Sequence, residues 1–491
     1  MPTRTPARLP ALPFLLVLAV AAGCFALSTQ SLWIDETEQA VIVLHSTLRG
    51  CWNALYMDHT SNIQMPLHFL YLWGWVRLFG GSEVALRASN IPWFFIGFFS
   101  ISHFLRRHPG LRNVTLLIFC LHPFVWYYLD EARPYVMELS GAFLVFGALF
   151  DAMDQPGAPL PVSWWWLYGS GLFILCGATV VGVPWAMVVT LFLITLPAFR
   201  RSLHRSVAPA LVFIPLLILL ALYFAWTFRE KFRSASLPMT LPSMLSVFYE
   251  LLGFLGLGPG RTDLRSNSVS ATAPYLVSLA FLGIPLASGF IIAARRRFCL
   301  TFGHFIFILL LTGIPVTLTF ALGFLRHARM LGRHFTPLFP FILLAQACAV
   351  ALLWKTGRPL GRIAAVLIVI SLAASSIELR LAPRHAKDDY RSAAAAARQA
   401  LAQHKIVWWA AEPTGAEYYQ LPLGGPDLPG SAFSVYGMPA YFASPPDEVF
   451  LSKPDLFDNS GQLSAFLTVH HYFPAARWQG FTLWKKPPPG T

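Results

Sequence analysis

Long apolar runs alternate with short polar segments along most of this 491-residue chain. About eleven of these runs are long enough to cross a bilayer, which takes roughly 20 apolar residues. The pattern therefore predicts a polytopic α-helical membrane protein. The runs cover approximately 10–28, 83–105, 112–129, 135–151, 163–180, 183–199, 207–227, 274–294, 301–323, 336–354 and 362–380.

Basic residues between the runs indicate how the chain crosses the membrane. They collect in every second short loop, as expected for loops that face the cytoplasm. With eleven spans, a cytoplasmic N-terminus puts the C-terminus on the outer side of a bacterial cytoplasmic (inner) membrane. The first run resembles a signal peptide, but we expect an uncleaved span because more spans follow. The inward clusters are Arg106, Arg107, Arg112; Arg200, Arg201, Arg205; Arg295, Arg296, Arg297; and Lys355, Arg358, Arg362.

Three stretches do not fit the pattern of spans. Residues 66–80 are apolar but short and rich in aromatics, which predicts a helix in the outer membrane–water interface. This helix belongs to a first outer loop, 29–82, and a second long outer loop covers 229–273. From about 382 the chain becomes polar, and we call 382–491 the tail.

The tail alternates between helical and strand-like patterns. Helices are predicted at 387–404 and 460–472, and strands at 406–410, 449–452 and 481–485. This alternation predicts a small extracytoplasmic α/β domain. We therefore expect a transmembrane domain over 1–381 and a soluble, separable domain over 382–491.

Composition narrows the class of partner. Hydrophobic residues make up 56% of the chain and charged residues only 12%, about half the share in a soluble domain. The formal charge of +13 falls mainly in short loops between spans, which argues against nucleic acid and for a lipid bilayer. The six cysteines form no CxxC pair, so no metal or other cofactor is predicted, and a role for a divalent metal stays open.

The acidic motif with the clearest chemistry follows the first span. Asp35 and Glu36 are adjacent, and Glu38 is close behind. A carboxylate at the outer membrane surface is placed to act as a general base toward a hydroxyl group, since partial burial raises its pKa toward neutrality. The alternative is a solvated loop acid or a cap for the next helix.

Charged residues in other predicted outer segments are candidate substrate ligands. Asp130, Glu131, Arg133 and Tyr135 lie between the third and fourth spans, where Arg133 can pair with a phosphate. An interfacial salt bridge is the alternative. Arg87, near the outer end of the second span, is either functional or extends to the interface.

A last cluster of basic residues precedes the tenth span. It lies in a predicted outer segment, although basic residues usually collect in loops that face the cytoplasm. A phosphate ligand at the outer surface would explain it, and plain surface charge is the alternative. The cluster comprises Arg326, His327, Arg329, Arg333 and His334.

The order of these motifs resembles the membrane glycosyltransferases of the GT-C superfamily that are related to glycosyltransferase family 39, the protein O-mannosyltransferases and lipid A aminoarabinose transferases. Asp35-Glu36 matches the family's acidic pair. The run 64–69, Leu-Phe-Gly at 78–80 and Arg87 match its next motif, although Gln64 and Met65 replace the usual His and Pro. Further similar segments are 131–135, 332–337 and 389–391.

The resemblance implies an inverting transferase that uses a polyprenyl-phosphate sugar donor outside the cytoplasmic membrane. Asp35 would be the base, and Glu36 and Glu131 would position the acceptor or an arginine. Arg87, Arg133 and Arg333 would stabilise the departing phosphate, with Arg333 ranked above Arg87. The sugar and the glycan, lipid or protein acceptor are not implied.

Two other classes of function remain as alternatives. An O-antigen ligase or polymerase would use a similar donor but would carry its functional residues in a late outer loop. A secondary transporter would show inverted repeats and polar or broken spans near the membrane midplane. No such repeat is visible in the sequence.

Overall fold

The computed structural model describes residues 12–155, 157–229, 239–260, 269–295, 302–325, 327–425, 428–440, 442 and 444–487. Arg296, Arg297 and Arg326 of the basic clusters, and 230–238 and 261–268 of the second outer loop, lie outside these residues. Its α-helices are Leu12–Ala26, Ile34–Leu44, Leu48–Met57, Pro66–Phe79, Glu83–Ala88, Ile91–Phe104, Pro109–Leu121, Pro123–Leu129, Tyr135–Asp154, Val162–Ala178, Gly182–Thr195, Pro197–Arg201, Val207–Thr227, Leu241–Leu251, Leu276–Arg295, Phe302–Leu325, Phe339–Lys355, Pro359–Leu381, Tyr390–Ala402, Pro413–Tyr418, Pro454–Phe457 and Gln462–Val469.

The helices confirm the predicted membrane architecture. Among the described residues, six helical segments are long and apolar enough to cross a bilayer, and five shorter apolar helices accompany them. Together these match the eleven predicted runs one for one. The third run is interrupted, because Pro123 lacks an amide hydrogen and starts a new helix after His122. The 66–80 stretch is a helix, and its place in the interface stays a prediction.

The chain divides into two compact units. The first comprises Met1–Ser28, Leu55–Gly74 and Arg87–His385 and holds the spans. The second comprises Thr29–Ala54, Trp75–Leu86 and Ala386–Thr491. It therefore combines the tail with parts of the first outer loop, whereas the sequence placed the loop with the spans.

Helix Tyr135–Asp154 lies at the centre of the first unit and packs against Ile91–Phe104 and Val162–Ala178. Glycines allow the close approach, because a Cβ atom at Gly141 would collide with the backbone of Leu175. Small residues serve the same purpose at many helix contacts in membranes.

The two ends of this central helix have different chemistry. Its last turn carries Asp151 and Asp154. Their carboxylate oxygens lie 3.6 Å from the guanidinium nitrogens of Arg106 and Arg107, respectively, in the first predicted inward cluster. Its first residue, Tyr135, belongs to the candidate outer motif. A helix of this length spans about 30 Å, roughly the thickness of the apolar layer of a bilayer. Arg106 and Arg107 thus lie at the opposite end of this helix from Tyr135.

The tail forms the α/β domain that its pattern predicted. Its strands are β1 Val407–Ala410, β2 Leu423–Gly424, β3 Ala432–Ser434, β4 Glu448–Ser452, β5 Phe473–Trp478 and β6 Phe481–Lys485. The sheet order is β2-β3-β1-β4-β6-β5. Strands β2, β3, β1 and β4 are parallel, and β6 and β5 are antiparallel to their neighbours.

Both faces of this sheet are covered. On one face lies the alanine-rich helix Tyr390–Ala402, whose buried alanines pack with Trp409 and Phe450. On the other, Trp408 packs with Leu463 and Leu467 of the late helix. The predicted helices and three predicted strands are confirmed. Strands β2, β3 and β5 were not predicted.

Candidate active site

The acidic pair begins a helix of the second unit, Ile34–Leu44. Trp33 precedes this helix in an extended conformation. The Glu36 side chain folds back so that Oε2 accepts a hydrogen bond from the Trp33 amide at 3.4 Å. Acidic residues in a first turn also favour the helix through its dipole. The capping alternative from the sequence is thus realised by Glu36.

Glu36 and Asp35 have different surroundings although they are adjacent. Glu36 is 0% exposed, and its Oε2 lies 3.1 Å from Nζ of Lys387, which is also buried. Asp35 is partly exposed. Successive residues of an α-helix point about 100° apart, so the two carboxylates face different surroundings. Of the two adjacent carboxylates, Asp35 is the one that solvent can reach.

The chain just before this helix is held by a tyrosine of the tail. The Tyr419 hydroxyl accepts hydrogen bonds from the Leu32 amide at 2.8 Å and from the Ser31 hydroxyl at 3.1 Å. It lies 3.2 Å from Oε1 of Glu83, which also pairs with Arg391 at 2.8 Å. Burial raises the pKa of Tyr419 to about 12, so the phenol is neutral at pH 7 and can donate to Glu83.

Arg87 and Asp130 belong to the first unit and are joined through Ser28. Arg87 is 0% exposed, and Nη1 donates to the carbonyl and hydroxyl oxygens of Ser28 at 3.0 and 2.9 Å. The Ser28 amide donates to Oδ1 of Asp130 at 2.6 Å, and that oxygen lies 3.8 Å from Nε of Arg87. These contacts link the end of the first span to the turn before Tyr135. They favour a positioning role for Arg87, and its contact with a donor phosphate stays a prediction.

Arg133 lies in the same turn and is held by side chains. It is buried, and it donates to Oδ1 of Asn62 at 3.1 Å and to the Tyr135 hydroxyl at 3.3 Å. Asn62 is itself fixed by Oδ2 of Asp58 at 3.0 Å. Each partner orients the planar guanidinium, which suits Arg133 for binding an oxyanion.

His68 lies close enough to Arg133 for the charge of the guanidinium group to affect the pKa of the imidazole. Burial, and then the neighbouring guanidinium, lower the pKa of His68 to about 3. The imidazole is therefore neutral at pH 7. Of these two residues, Arg133 therefore carries the positive charge at pH 7.

A glutamate that the sequence pattern does not single out lies against Gly332, the residue before Arg333. Glu250 belongs to helix Leu241–Leu251, and its carboxylate occupies the space that a side chain at position 332 would need. Glu250, Glu131 and Arg333 all act electrostatically on the Tyr128 hydroxyl. Arg333, Glu131 and Glu250 thus share the neighbourhood of the Tyr128 hydroxyl.

His334 has a local structural contact. Its Nδ1 accepts a hydrogen bond from the Leu331 amide at 2.9 Å, which closes the start of the short 3-10 helix Gly332–Leu338. An accepting Nδ1 leaves the hydrogen of the neutral imidazole on Nε2. The binding role predicted for His334 is compatible with this contact and stays a prediction.

The candidate residues that only the structure reveals are inconspicuous in the sequence. Glu250 is a single acid in an apolar helix, and Asn62, Lys387 and Tyr419 are ordinary polar residues of loops or helix ends. Their importance comes from contacts across long stretches of sequence. Among the described residues, no group of three or more histidine, cysteine or acidic side chains is arranged to hold a metal ion.

The helical bundle and the small α/β domain define a polytopic membrane protein. The crystal structure of ArnT from Cupriavidus metallidurans bound to undecaprenyl phosphate is similar at a TM-score of 0.52 and 14% identity, over 97% of this chain and 98% of that chain. The apo form of the same protein gives a TM-score of 0.53 and 13% identity, over 96% and 97%.

A weaker likeness is to the archaeal oligosaccharyltransferase AglB from Archaeoglobus fulgidus in complex with an inhibitory peptide and a dolichol-phosphate. Its TM-score is 0.43 at 9% identity, over 97% of this chain and 75% of that chain. No protein-family model matches the sequence, and no curated protein matches it either. The similarity to ArnT, the lipid A aminoarabinose transferase, is thus one of fold.

Proposed function

We propose that this protein is an inverting glycosyltransferase that moves a sugar from a polyprenyl-phosphate donor to a hydroxyl acceptor. The observation that carries the proposal is the fold shared, over nearly the whole of both chains, with a structure bound to undecaprenyl phosphate. The acidic pair and the arginine-bearing turns supply the residue types that this chemistry needs.

Asp35 is the general base of the proposed reaction. The acceptor oxygen attacks the anomeric carbon while its proton passes to the Asp35 carboxylate. The bond between that carbon and the phosphate oxygen breaks on the opposite side, and polyprenyl phosphate leaves. Attack opposite the leaving group inverts the anomeric carbon. Glu36, buried against Lys387, contributes by holding the helix that carries Asp35.

The departing phosphate gains negative charge and needs oriented cations. Arg333 and Arg133 are the proposed partners. Arg133 is held by Asn62 and Tyr135, and Arg333 lies near Glu131 and Glu250. Prior orientation reduces the rearrangement needed when charge develops. Arg87, already bound to Ser28, is assigned to positioning.

The proposed reaction takes place on the outer face of a bacterial cytoplasmic membrane. The inward arginine clusters support this orientation. So does the position of Arg106 and Arg107 at the far end of the central helix from Tyr135. The tail and the first outer loop then lie outside, with the N-terminus in the cytoplasm.

The test is turnover of the purified full-length protein with a radiolabelled undecaprenyl-phosphate hexose and membrane extract as acceptor. Asp35→Asn keeps the shape of the side chain and removes the proton acceptor. Transfer should fall by about 10²–10⁴-fold, the usual contribution of general-base assistance. Binding of undecaprenyl phosphate should be retained. Normal turnover by both Asp35→Asn and Glu36→Gln would remove the acidic pair from the chemistry and favour a ligase.

A further inference from the structure

The segment that carries Asp35 is held by residues of the tail, about 350 positions later in the chain. We infer that Lys387 and Tyr419 are positioning residues for Asp35, so that the tail is a working part of the catalytic unit. This inference rests on the proposed function. It differs from the expectation of a separable domain that contributes nothing to transfer.

The first contact is the buried ion pair between Lys387 and Glu36. Their side chains are 6% and 0% exposed, and the distance between Nζ and Oε2 is 3.1 Å. A buried charge is strongly unfavourable without its partner. The Glu36 carboxylate is therefore held next to the Lys387 ammonium group. The Lys387 amide also donates to Oε1 of Gln30 at 2.9 Å. Asp35 precedes Glu36 in the same helical turn, so this pair fixes the position of the Asp35 backbone.

The second contact is the Tyr419 hydroxyl. It accepts two hydrogen bonds from the residues that lead into the acidic helix, Ser31 and Leu32. The neighbouring tail helix adds a bond between the hydroxyls of Thr414 and Thr37, 3.1 Å apart. Both the approach to the helix and its first turn are therefore fixed by the tail.

These contacts are separate from the hydrophobic packing of the tail itself. The tail core consists of apolar side chains such as Trp409, Phe450 and Phe481, and Tyr419 packs against it. Lys387 is not part of this core, and Tyr419→Phe keeps the ring that packs there. A buried lysine and a tyrosine hydroxyl aimed at another segment do not add to that core. Lys387 bonds to Gln30 and Glu36, and the Tyr419 hydroxyl bonds to Ser31, Leu32 and Glu83.

The experiment compares three variants of the full-length protein by kcat, KM and binding of radiolabelled undecaprenyl phosphate. Lys387→Met removes the charge, Lys387→Arg keeps it, and Tyr419→Phe removes only the hydroxyl. A misplacement of about 1 Å can lower a rate by the order of 10²-fold. We expect Lys387→Met to lose kcat on this scale with phosphate binding unchanged. Lys387→Arg should recover part of it, and Tyr419→Phe should show a smaller loss.

Lys405→Met is the matched control. Lys405 pairs with Glu448 at 2.8 Å inside the tail. Removing the Lys405 charge therefore tests whether the loss of a lysine–glutamate pair elsewhere in the tail lowers kcat. Its kcat should equal that of the wild type. An equal loss of kcat in Lys405→Met and Lys387→Met would overturn the inference, because it would indicate a general effect on the tail.

The remaining outcomes separate this inference from the proposed function. Full turnover by Asp35→Asn refutes the base role, and with it any need to position Asp35. If Asp35→Asn is inactive while folded Lys387→Met and Tyr419→Phe turn over normally, only the positioning inference fails. If Lys387→Met does not fold, Tyr419→Phe decides, and a normal kcat in that variant overturns the inference.

Discussion

Asp35 and Glu36 are neighbours in the sequence, yet Glu36 is fully buried against Lys387 while Asp35 remains partly exposed. The sequence motif presents two equivalent carboxylates. The structure distinguishes them by environment, and this difference leads to separate expectations for stability and for rate.

Glu36→Gln should lower stability more than Asp35→Asn. Removing one charge of a buried pair leaves the other uncompensated, which typically costs about 3–5 kcal/mol. Gln retains some hydrogen bonding, so the loss should lie at or below the lower end. Thermal unfolding of the purified variants in detergent measures the difference. Equal stabilities would mean that the Lys387 pair contributes little.

Much of the fold could be predicted from the sequence because membrane spans obey strong constraints. Inside a bilayer the backbone must satisfy its hydrogen bonds within helices, so the apolar length of a run is strong evidence for a helical span. The strands β2, β3 and β5 escaped prediction. The first two have only two and three residues, and β5 is an exposed edge strand that contains Pro474.

The candidate site was less predictable. Asp35, Arg133 and Arg333 could be selected because charges near apolar spans are conspicuous. Glu250 and Lys387 could not be selected from the sequence. Glu250 matters because it lies against Gly332, next to Arg333, and Lys387 matters because it pairs with Glu36. The division of the chain was equally hidden, because no local pattern shows that the first outer loop packs with residues after 386.

Arg333 should be needed for binding of the donor phosphate. Lys keeps the charge but loses the planar fork that binds two oxygens. Undecaprenyl phosphate should therefore bind more weakly to Arg333→Lys and most weakly to Arg333→Ala. Arg200→Ala, in a predicted inward cluster, is the control and should bind normally. Wild-type affinity in Arg333→Ala would refute the role.

Replacing Arg87 should mainly lower the folding stability of the protein. Its guanidinium is fully buried and bound to Ser28, and its Nε lies 3.8 Å from Asp130. Arg87→Met leaves these partners unsatisfied and should cost about 3–5 kcal/mol. Arg87→Lys should lose less. Thermal unfolding and phosphate binding are measured together, and weaker binding at unchanged stability would instead support direct contact with the donor.

The predicted orientation can be tested with an impermeant thiol reagent on intact spheroplasts. Cys51 is a poor target, because it is buried and burial raises the pKa of its thiol to about 11. Gln479 lies in an exposed turn of the tail, and Arg201 is exposed in a predicted inward cluster. Gln479→Cys should be labelled in intact spheroplasts, and Arg201→Cys only after permeabilisation. The reverse pattern would invert the topology and remove the candidate site from the outer face.

His68 should make stability depend on pH. Its pKa in the folded protein is about 3, below the ordinary value near 6.5. As the pH falls below about 6.5, the unfolded chain takes up a proton that the folded protein does not bind. Stability should therefore decrease with falling pH, at up to about 1.4 kcal/mol per pH unit for one proton, until the pH approaches about 3.

His68→Gln removes this titration while keeping a polar side chain. The variant should lose less stability than the wild type between about pH 6.5 and pH 5, the near-neutral part of the window in which His68 titrates. Denaturant unfolding in detergent at several pH values measures the two slopes, and His471→Gln serves as the control for removing an exposed histidine of the tail. Parallel slopes for the wild type and His68→Gln would mean that His68 takes up its proton in the folded protein over the same pH range as in the unfolded chain. The positive charge beside Asn62 would then belong to two residues rather than to Arg133, and the binding of a phosphate there would depend on pH.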